Sequence, residues 1–195
     1  MKNKLRIKYN SPVVLTFSLI CLIATTLGVI SNGQITESVF CTFRTSLLNP
    51  MFYIRLFTHV LGHSGFEHFT GNITYILLLG PLLEEKYGSR IMIKAIIITA
   101  LATGVVNAIL FPRIALCGAS GVVFAFILLS SFTEFRSGNI PLTFILIFVI
   151  YIGHQIVDGI FVQDNISNMA HIIGGIVGAI LGYGLNIKNE YKVNY

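Results

Sequence analysis

The stretch "IALCGASGVVFAFILLSSFT", residues 114–133, is twenty residues long and contains no charged residue. A helix needs about 20 apolar residues to cross a bilayer, because lipid offers exposed peptide groups no hydrogen-bond partner. The stretch therefore predicts a membrane-spanning helix. Its beginning is unusual, since Ser120, a potential nucleophile, lies between Gly118 and Gly121.

The chain as a whole has the composition of a protein with several membrane spans. Of its 195 residues, 54% are hydrophobic and 11% are charged, whereas soluble domains carry about 25% charged residues. The mean hydropathy is +0.80. Stretches free of Asp, Glu, Lys and Arg lie at 9–36, 69–83, 95–112, 114–133, 137–157 and 165–187. The sequence predicts an all-α bundle of six transmembrane helices, forming a single domain over residues 1–195.

The connection between the first two predicted spans, residues 31–66, is the longest in the chain. It is apolar and aromatic but interrupted by Arg55, which favours a segment lying in the membrane interface over a span. The second span is short, and we expect it to begin within residues 64–68. That start places His68 near the interface.

Basic residues predict the orientation of the spans. The amino-terminal segment, the alternate junctions and the carboxyl tail carry ten Lys and Arg residues, and the opposite side carries three. Since cytoplasmic loops are enriched in these residues, both termini are predicted to be cytoplasmic, in a multi-pass protein of the plasma membrane. The formal charge of +5 follows from this bias, so no nucleic-acid partner is predicted. A cleaved signal peptide at the first span is a disfavoured alternative, because the apolar run is long and no cleavage site is evident near Gly33.

Polar residues cluster at one depth of the predicted bundle. The second, fourth and sixth spans begin at the outer face, and each begins with polar side chains. These residues are His63, His68, Asn72, Ser120, Asn168 and His171. Any one of them can be explained by a hydrogen bond between helices. Because polar groups are costly in a membrane, the set together predicts a functional site near the outer face.

Ser120 is the candidate nucleophile of this site. A helix amino terminus presents unpaired N–H groups and a positive dipole end, which suit a developing oxyanion. His171 and His154 compete for the role of base. Gly174 and Gly178 are spaced four residues apart on the predicted sixth span, and such a stripe lets two helices approach closely, which favours His171.

His68 and Asn72 are four residues apart, so they share one face of a helix. Together with the backbone N–H groups of Ala119 and Ser120, their side chains are candidates for surrounding an oxyanion. No metal site is predicted, because "HVLGH", residues 59–63, lacks the glutamate of the HExxH motif.

The cysteines do not form a disulfide framework. Cys41 and Cys117 both lie on the predicted outer side, so they could in principle pair, although separate thiols are the simpler interpretation.

Four motifs in order resemble the rhomboid family of intramembrane serine proteases, over nearly the whole chain. They are "RLFTHVLGHSGFEHFTGN", "LEEKYGS", "GASGVVFAF" and "NMAHIIGGIVG". The resemblance implies a catalytic dyad of Ser120 and His171 and an oxyanion site at His68, Asn72, Ala119 and Ser120. It also implies that Glu85 shapes the inner turn.

The resemblance further implies an enzyme without cofactor or metal. It would cleave transmembrane protein substrates in the lipid bilayer, near the outer face. Phe124 departs from the family pattern, in which a tyrosine often stacks on the catalytic histidine, yet it keeps the ring four residues after Ser120. Helix-packing positions near the site are Gly118, Gly121, Phe124, Gly174 and Gly178.

The alternative function is that of a catalytically silent relative that binds membrane clients. A transporter or channel is disfavoured, because the sequence shows no repeats in corresponding halves.

Overall fold

The computed structural model describes residues 8–132, isolated positions between 142 and 153, and residues 165–193. The regular elements in these ranges are helices. They are α1 Pro12–Ile30, α2 Gln34–Val39, α3 Pro50–Thr58, α4 Phe66–Tyr87, α5 Ser89–Leu110, α6 Ser120–Ser131 and α7 Asn165–Val193. The prediction of an all-α membrane-type fold is confirmed. Most of the fifth predicted span, 137–157, lies outside the described residues, as does His154.

Three of the described helices are long and apolar enough to cross a bilayer: α1, α5 and the Asn168–Leu185 part of α7. Helix α6 is apolar but only 12 residues long. Helix α4 has 22 residues, but charged side chains lie near both of its ends. It begins at Phe66, within the range expected from the sequence. The count of six spans therefore stays a prediction.

Helix α6 lies at the centre of the described bundle. Every residue from 121 to 129 is buried, on all faces of the helix. Its side chains join a core with residues of α1, α4 and α5, among them Val14, Ile76 and Ala95. A helix that is apolar all round is expected in such an enclosed position. Helix α1, in contrast, leaves large apolar side chains such as Ile23 and Ile30 exposed, as a lipid-facing helix does.

Helices α6 and α7 touch through their backbones. A Cβ atom added at Gly174 would overlap the backbone of Gly121, and one added at Gly178 would overlap the backbone of Ala125. One helical turn further on, a Cβ atom at Gly182 would lie 2.6 Å from the ring of Phe132. We call this contact the glycine seam. It brings the start of α6 against the start of α7.

The long loop is anchored to the segment that precedes α6. Thr42 and Leu116 exchange two backbone hydrogen bonds of 2.9 Å, forming an isolated antiparallel bridge. The buried Asn107 side chain donates to the Thr42 carbonyl at 3.1 Å and to the Ile114 carbonyl at 3.0 Å. Within the loop, Arg55 Nε donates to the Ser38 carbonyl at 2.8 Å. Hydrogen bonds therefore hold the loop in two places, between α2 and α3 and at the segment that leads into α6.

A buried carboxylate joins three helices at the other end of α4. The two oxygens of Glu84 accept hydrogen bonds of 3.0 Å from the backbone N–H groups of Val13 and Val14, at the start of α1. Ser89, the first residue of α5, donates to the same carboxylate at 2.7 Å. We call this contact the Glu84 junction. The family resemblance pointed to the neighbouring Glu85, whose side chain is exposed.

Candidate active site

The segment that leads into α6 has a backbone conformation that favours glycine. Gly118 has φ of +126°, where a side chain would be strained, and its N–H donates to the His59 carbonyl at 2.9 Å. Ala119 is the N-cap and Ser120 is the first residue of the helix. Ser120 therefore lies where helix geometry leaves backbone N–H groups without intrahelical partners.

His63 holds the residue before Ser120. Its Nε2 accepts a hydrogen bond of 3.3 Å from the backbone N–H of Ala119, and its Nδ1 lies 3.4 Å from Thr25 Oγ1. An accepting Nε2 requires the proton on Nδ1, which donates to the threonine. Burial and, to a lesser extent, the nearby His68 lower the pKa of His63 to about 4. A neutral His63 thus ties α1 to the loop that carries Ser120.

His59 makes a similar buried connection. Its Nδ1 lies 3.1 Å from the Arg55 carbonyl, and its Nε2 lies 3.0 Å from Thr103 Oγ1. Burial lowers the pKa of His59 to about 4, so the ring is neutral near pH 7. No pattern in the sequence indicates that His63 reaches Ala119. The two partners are separated by 56 positions along the chain.

His68 and Asn72 lie directly against Gly118. A Cβ atom at Gly118 would be 2.8 Å from His68 Nε2 and 3.8 Å from Asn72 Nδ2. His68 Nδ1 is 3.2 Å from Ser64 Oγ, and Asn72 Nδ2 donates to the His68 carbonyl at 3.1 Å. The start of α4 therefore brings both side chains beside the segment that precedes Ser120.

His171 stacks on Phe124. The ring centroids are 4.3 Å apart, and the two planes differ by 10°. Phe124 lies four residues after Ser120, hence on the same face of α6 and one turn away. On the other side of the contact, a Cβ atom at Gly121 would be 3.4 Å from the carbonyl oxygen of Ala170, the residue before His171. The glycine seam and the ring stack together place His171 beside the first turn of α6.

A cavity of about 440 Å³ opens next to this cluster. Ser64, Gly65, Glu67 and His68 line it, at the junction between the long loop and α4. It borders the same histidine that packs against Gly118. His68 therefore borders both this cavity and the segment that precedes Ser120.

Comparison with known proteins identifies the family of this chain. The model of the Rhomboid domain matches residues 50–187. The chain is 30% identical over 142 residues to rhomboid-related protein 2 of Mus musculus, a match that covers 66% of this chain and 47% of that protein. It is 27% identical over 133 residues to rhomboid protease GlpG of Haemophilus influenzae, covering 66% of this chain and 68% of that protein.

A plant protein gives a third match. The chain is 22% identical over 146 residues to rhomboid-like protein 11, chloroplastic, of Arabidopsis thaliana, covering 68% of this chain and 52% of that protein. The chain thus spans about half the length of the mouse and plant relatives. The family model leaves residues 1–49 unmatched, although we expected the resemblance to extend over nearly the whole chain. With the domain match covering more than half of its length, the chain belongs to the rhomboid family.

Proposed function

We propose that this protein is an intramembrane serine protease, in which Ser120 is the nucleophile and His171 is the general base. The observation that carries the proposal is the stack of His171 on Phe124, one turn from Ser120 at the amino terminus of α6. Family membership supports the reaction class, because one of the relatives is a rhomboid protease. A serine beside a positioned base is the arrangement that nucleophilic catalysis requires.

The reaction proceeds in two steps. His171 accepts the hydroxyl proton as Ser120 Oγ attacks the carbonyl carbon of the scissile peptide bond. The protonated His171 then gives that proton to the leaving amine as the C–N bond breaks, which leaves an acyl-enzyme. In the second step His171 takes a proton from water as the water oxygen attacks the ester carbonyl. His171 then gives that proton to Ser120 Oγ as the C–O bond breaks, which releases the carboxylic acid product and restores Ser120. The Phe124 ring fixes the plane of the imidazole in place of a third catalytic side chain.

The donors to the oxyanion come from two helices. The backbone N–H of Ser120 lies at the positive end of α6, and His68 and Asn72 approach from α4 against Gly118. The Asn72 amide has two N–H bonds and gives one to the His68 carbonyl, so the second can point toward the substrate. The Ala119 N–H already donates to His63. We therefore assign it to positioning the loop.

The proposed substrates are transmembrane proteins that unwind locally near the outer face. A helix hides its peptide bonds in internal hydrogen bonds, so cleavage needs small or helix-breaking residues around the scissile bond. In the proposed topology six spans cross the plasma membrane, both termini are cytoplasmic, and the start of α6 faces outward. The excess of basic residues on the predicted inner side supports this orientation.

The test is cleavage of a labelled transmembrane substrate by the purified chain in proteoliposomes. Ser120→Ala and His171→Gln are expected to lower the rate by about 10³-fold or more, because the covalent step needs both groups. Ser130→Ala is the matched control, since Ser130 lies on the same helix and its hydroxyl donates to the Ile127 carbonyl at 2.7 Å. It should retain the wild-type rate.

A fluorophosphonate probe separates a protease from a silent client-binding relative. The wild-type chain should be labelled at Ser120, whereas Ser120→Ala should not be labelled. A folded wild-type chain that resists the probe and leaves the substrate intact would overturn the proposal. Cleavage that survives Ser120→Ala would do so as well.

A further inference from the structure

Cys41 and Cys117 flank the bridge between the long loop and the segment before α6. Thr42 and Leu116 exchange both of their backbone hydrogen bonds, so they form a hydrogen-bonded pair. An antiparallel register that continues past this isolated bridge places positions 41 and 117 opposite each other as a non-hydrogen-bonded pair. In such pairs the Cα atoms are about 4.5 Å apart and the side chains are at their closest. This separation lies within the range that a disulfide spans.

The two thiols interact with each other. The Cys41 thiol forms a side-chain hydrogen bond with Cys117. Both are free thiols, of which Cys41 is buried and Cys117 is partly exposed. A reagent from solution therefore meets Cys117 first, with Cys41 directly behind it.

The hydrogen bond makes the two thiols unequal. It lowers the pKa of Cys117, because the Cys41 thiol stabilises the Cys117 thiolate. The same hydrogen bond, followed by burial, raises the pKa of Cys41. Because Cys117 is partly exposed and Cys41 is buried, an oxidant in solution reaches Cys117, and the lowered pKa favours its thiolate; Cys117 is therefore the nucleophile of the pair and Cys41 is the resolving thiol.

We propose that Cys41 and Cys117 are a redox-active dithiol, which closes to an intramolecular disulfide by exchange with a small-molecule disulfide such as oxidised glutathione. The Cys117 thiolate attacks one sulfur of the oxidant and releases one glutathione. Cys41 then loses its proton and attacks the Cys117 sulfur of the mixed disulfide, which releases the second glutathione. Two electrons pass from the protein to the oxidant, whose disulfide is reduced to two thiols.

Closing this bond links the long loop covalently to the segment that carries Ser120. Cys117 directly precedes Gly118, the residue against which His68 and Asn72 pack. A cross-link that closes so long a stretch of chain restricts the unfolded state strongly. Oxidation is therefore expected to raise the melting temperature by about 5 °C or more. The inference does not depend on proteolytic activity.

The experiment uses the purified full-length chain in detergent, incubated with oxidised or with reduced glutathione. Remaining thiols are alkylated with N-ethylmaleimide, and the digested chain is analysed by mass spectrometry. After oxidation we expect a cross-linked peptide pair containing Cys41 and Cys117, two hydrogens lighter than the two thiol peptides. Cys21, which is fully buried in α1, should remain a thiol and serves as the internal control.

Single variants test the assigned roles. Cys41→Ser should accumulate glutathione on Cys117, because no resolving thiol remains, whereas Cys117→Ser should leave Cys41 unmodified. Cys21→Ser should keep both the cross-link and the rise in melting temperature. Full alkylation of Cys41 and Cys117 after oxidation of the wild-type chain would overturn the proposal. A disulfide found only between two chains would overturn it too.

Discussion

The glycine seam and the Glu84 junction hold helices together by opposite means. In the seam, α6 and α7 approach until their backbones touch, and the contact exists because Gly174 and Gly178 have no side chains. At the junction, one carboxylate bridges α1, α4 and α5 through three hydrogen bonds. The stability of the seam therefore depends on side-chain volume, and the seam contains no charged group. The junction is sensitive to the chemistry of a single side chain.

The largest expected effect is that of volume at the seam. Gly174→Val would press a branched side chain into the backbone of Gly121, which cannot rotate away. Overpacking commonly costs about 1–3 kcal/mol, and we expect the upper end or more here. Thermal unfolding in detergent should show a large loss of stability, together with a loss of substrate cleavage.

Gly184→Ala is the matched control on the same helix. Among the described residues, no atom lies within 4 Å of a Cβ atom added at Gly184. Because alanine is the better helix former, this variant should be as stable as the wild type or more stable by up to about 1 kcal/mol. Equal effects of the two substitutions would contradict the assignment of the seam as a close backbone contact.

A second prediction concerns the chemistry of the junction. Glu84→Gln keeps the shape of the side chain but turns one accepting oxygen into a donor that faces a backbone N–H group. We expect a loss of about 1–3 kcal/mol, because a buried donor is left without its partner. The melting temperature of Glu84→Gln should therefore fall, with little change in how cleavage depends on substrate concentration.

Glu85→Gln gives the comparison within the same turn, since Glu85 is exposed. Surface substitutions of this kind usually change stability by about 0.5 kcal/mol or less. If Glu85→Gln destabilised the protein as much as Glu84→Gln, the three hydrogen bonds of Glu84 would not explain the junction.

The difference between the two regions also explains what the sequence could and could not predict. The stripe of Gly174 and Gly178 has a helical period, so one segment alone pointed to a close helix contact beside His171. Glu84 and Glu85 are neighbours with the same side chain, and no local pattern says which of them faces α1. That choice is made by the rotation of α4 in the bundle, which depends on packing across the whole molecule.

The candidate site divides in the same way. The predicted depth of Ser120, His68, Asn72 and His171 rests on where each predicted span begins, which hydropathy indicates. Hydropathy does not indicate the partner of the Ala119 N–H, because His63 reaches it from a distant loop. No spacing of residues in the sequence shows that a histidine nitrogen accepts a hydrogen bond from a backbone N–H group. The sequence therefore predicted which residues share one end of the bundle, and left open which donors serve the substrate.

The pH dependence of stability separates the buried histidines His59 and His63 from the seam, which has no group that titrates. His59 and His63 have pKa values of about 4 in the folded protein, against 6.5 for an unperturbed histidine. Below pH 6.5 the unfolded chain therefore binds protons that the folded chain does not. Stability from these residues is present in full above about pH 6.5, and falls as the pH drops toward 4, by up to about 1.4 kcal/mol per pH unit for each histidine.

His63→Gln tests this dependence, because a glutamine oxygen can accept the Ala119 N–H without titrating. The melting temperatures of the wild type and of His63→Gln are measured between pH 7 and pH 5. As the pH falls, the melting temperature of the wild type should drop more steeply than that of the variant. Gly184→Ala should keep the wild-type slope, since it leaves both histidines in place. Parallel curves for the wild type and His63→Gln would mean that protonation of His63 does not act against folding, which would contradict its role as acceptor of the Ala119 N–H, since both ring nitrogens of a charged histidine are donors.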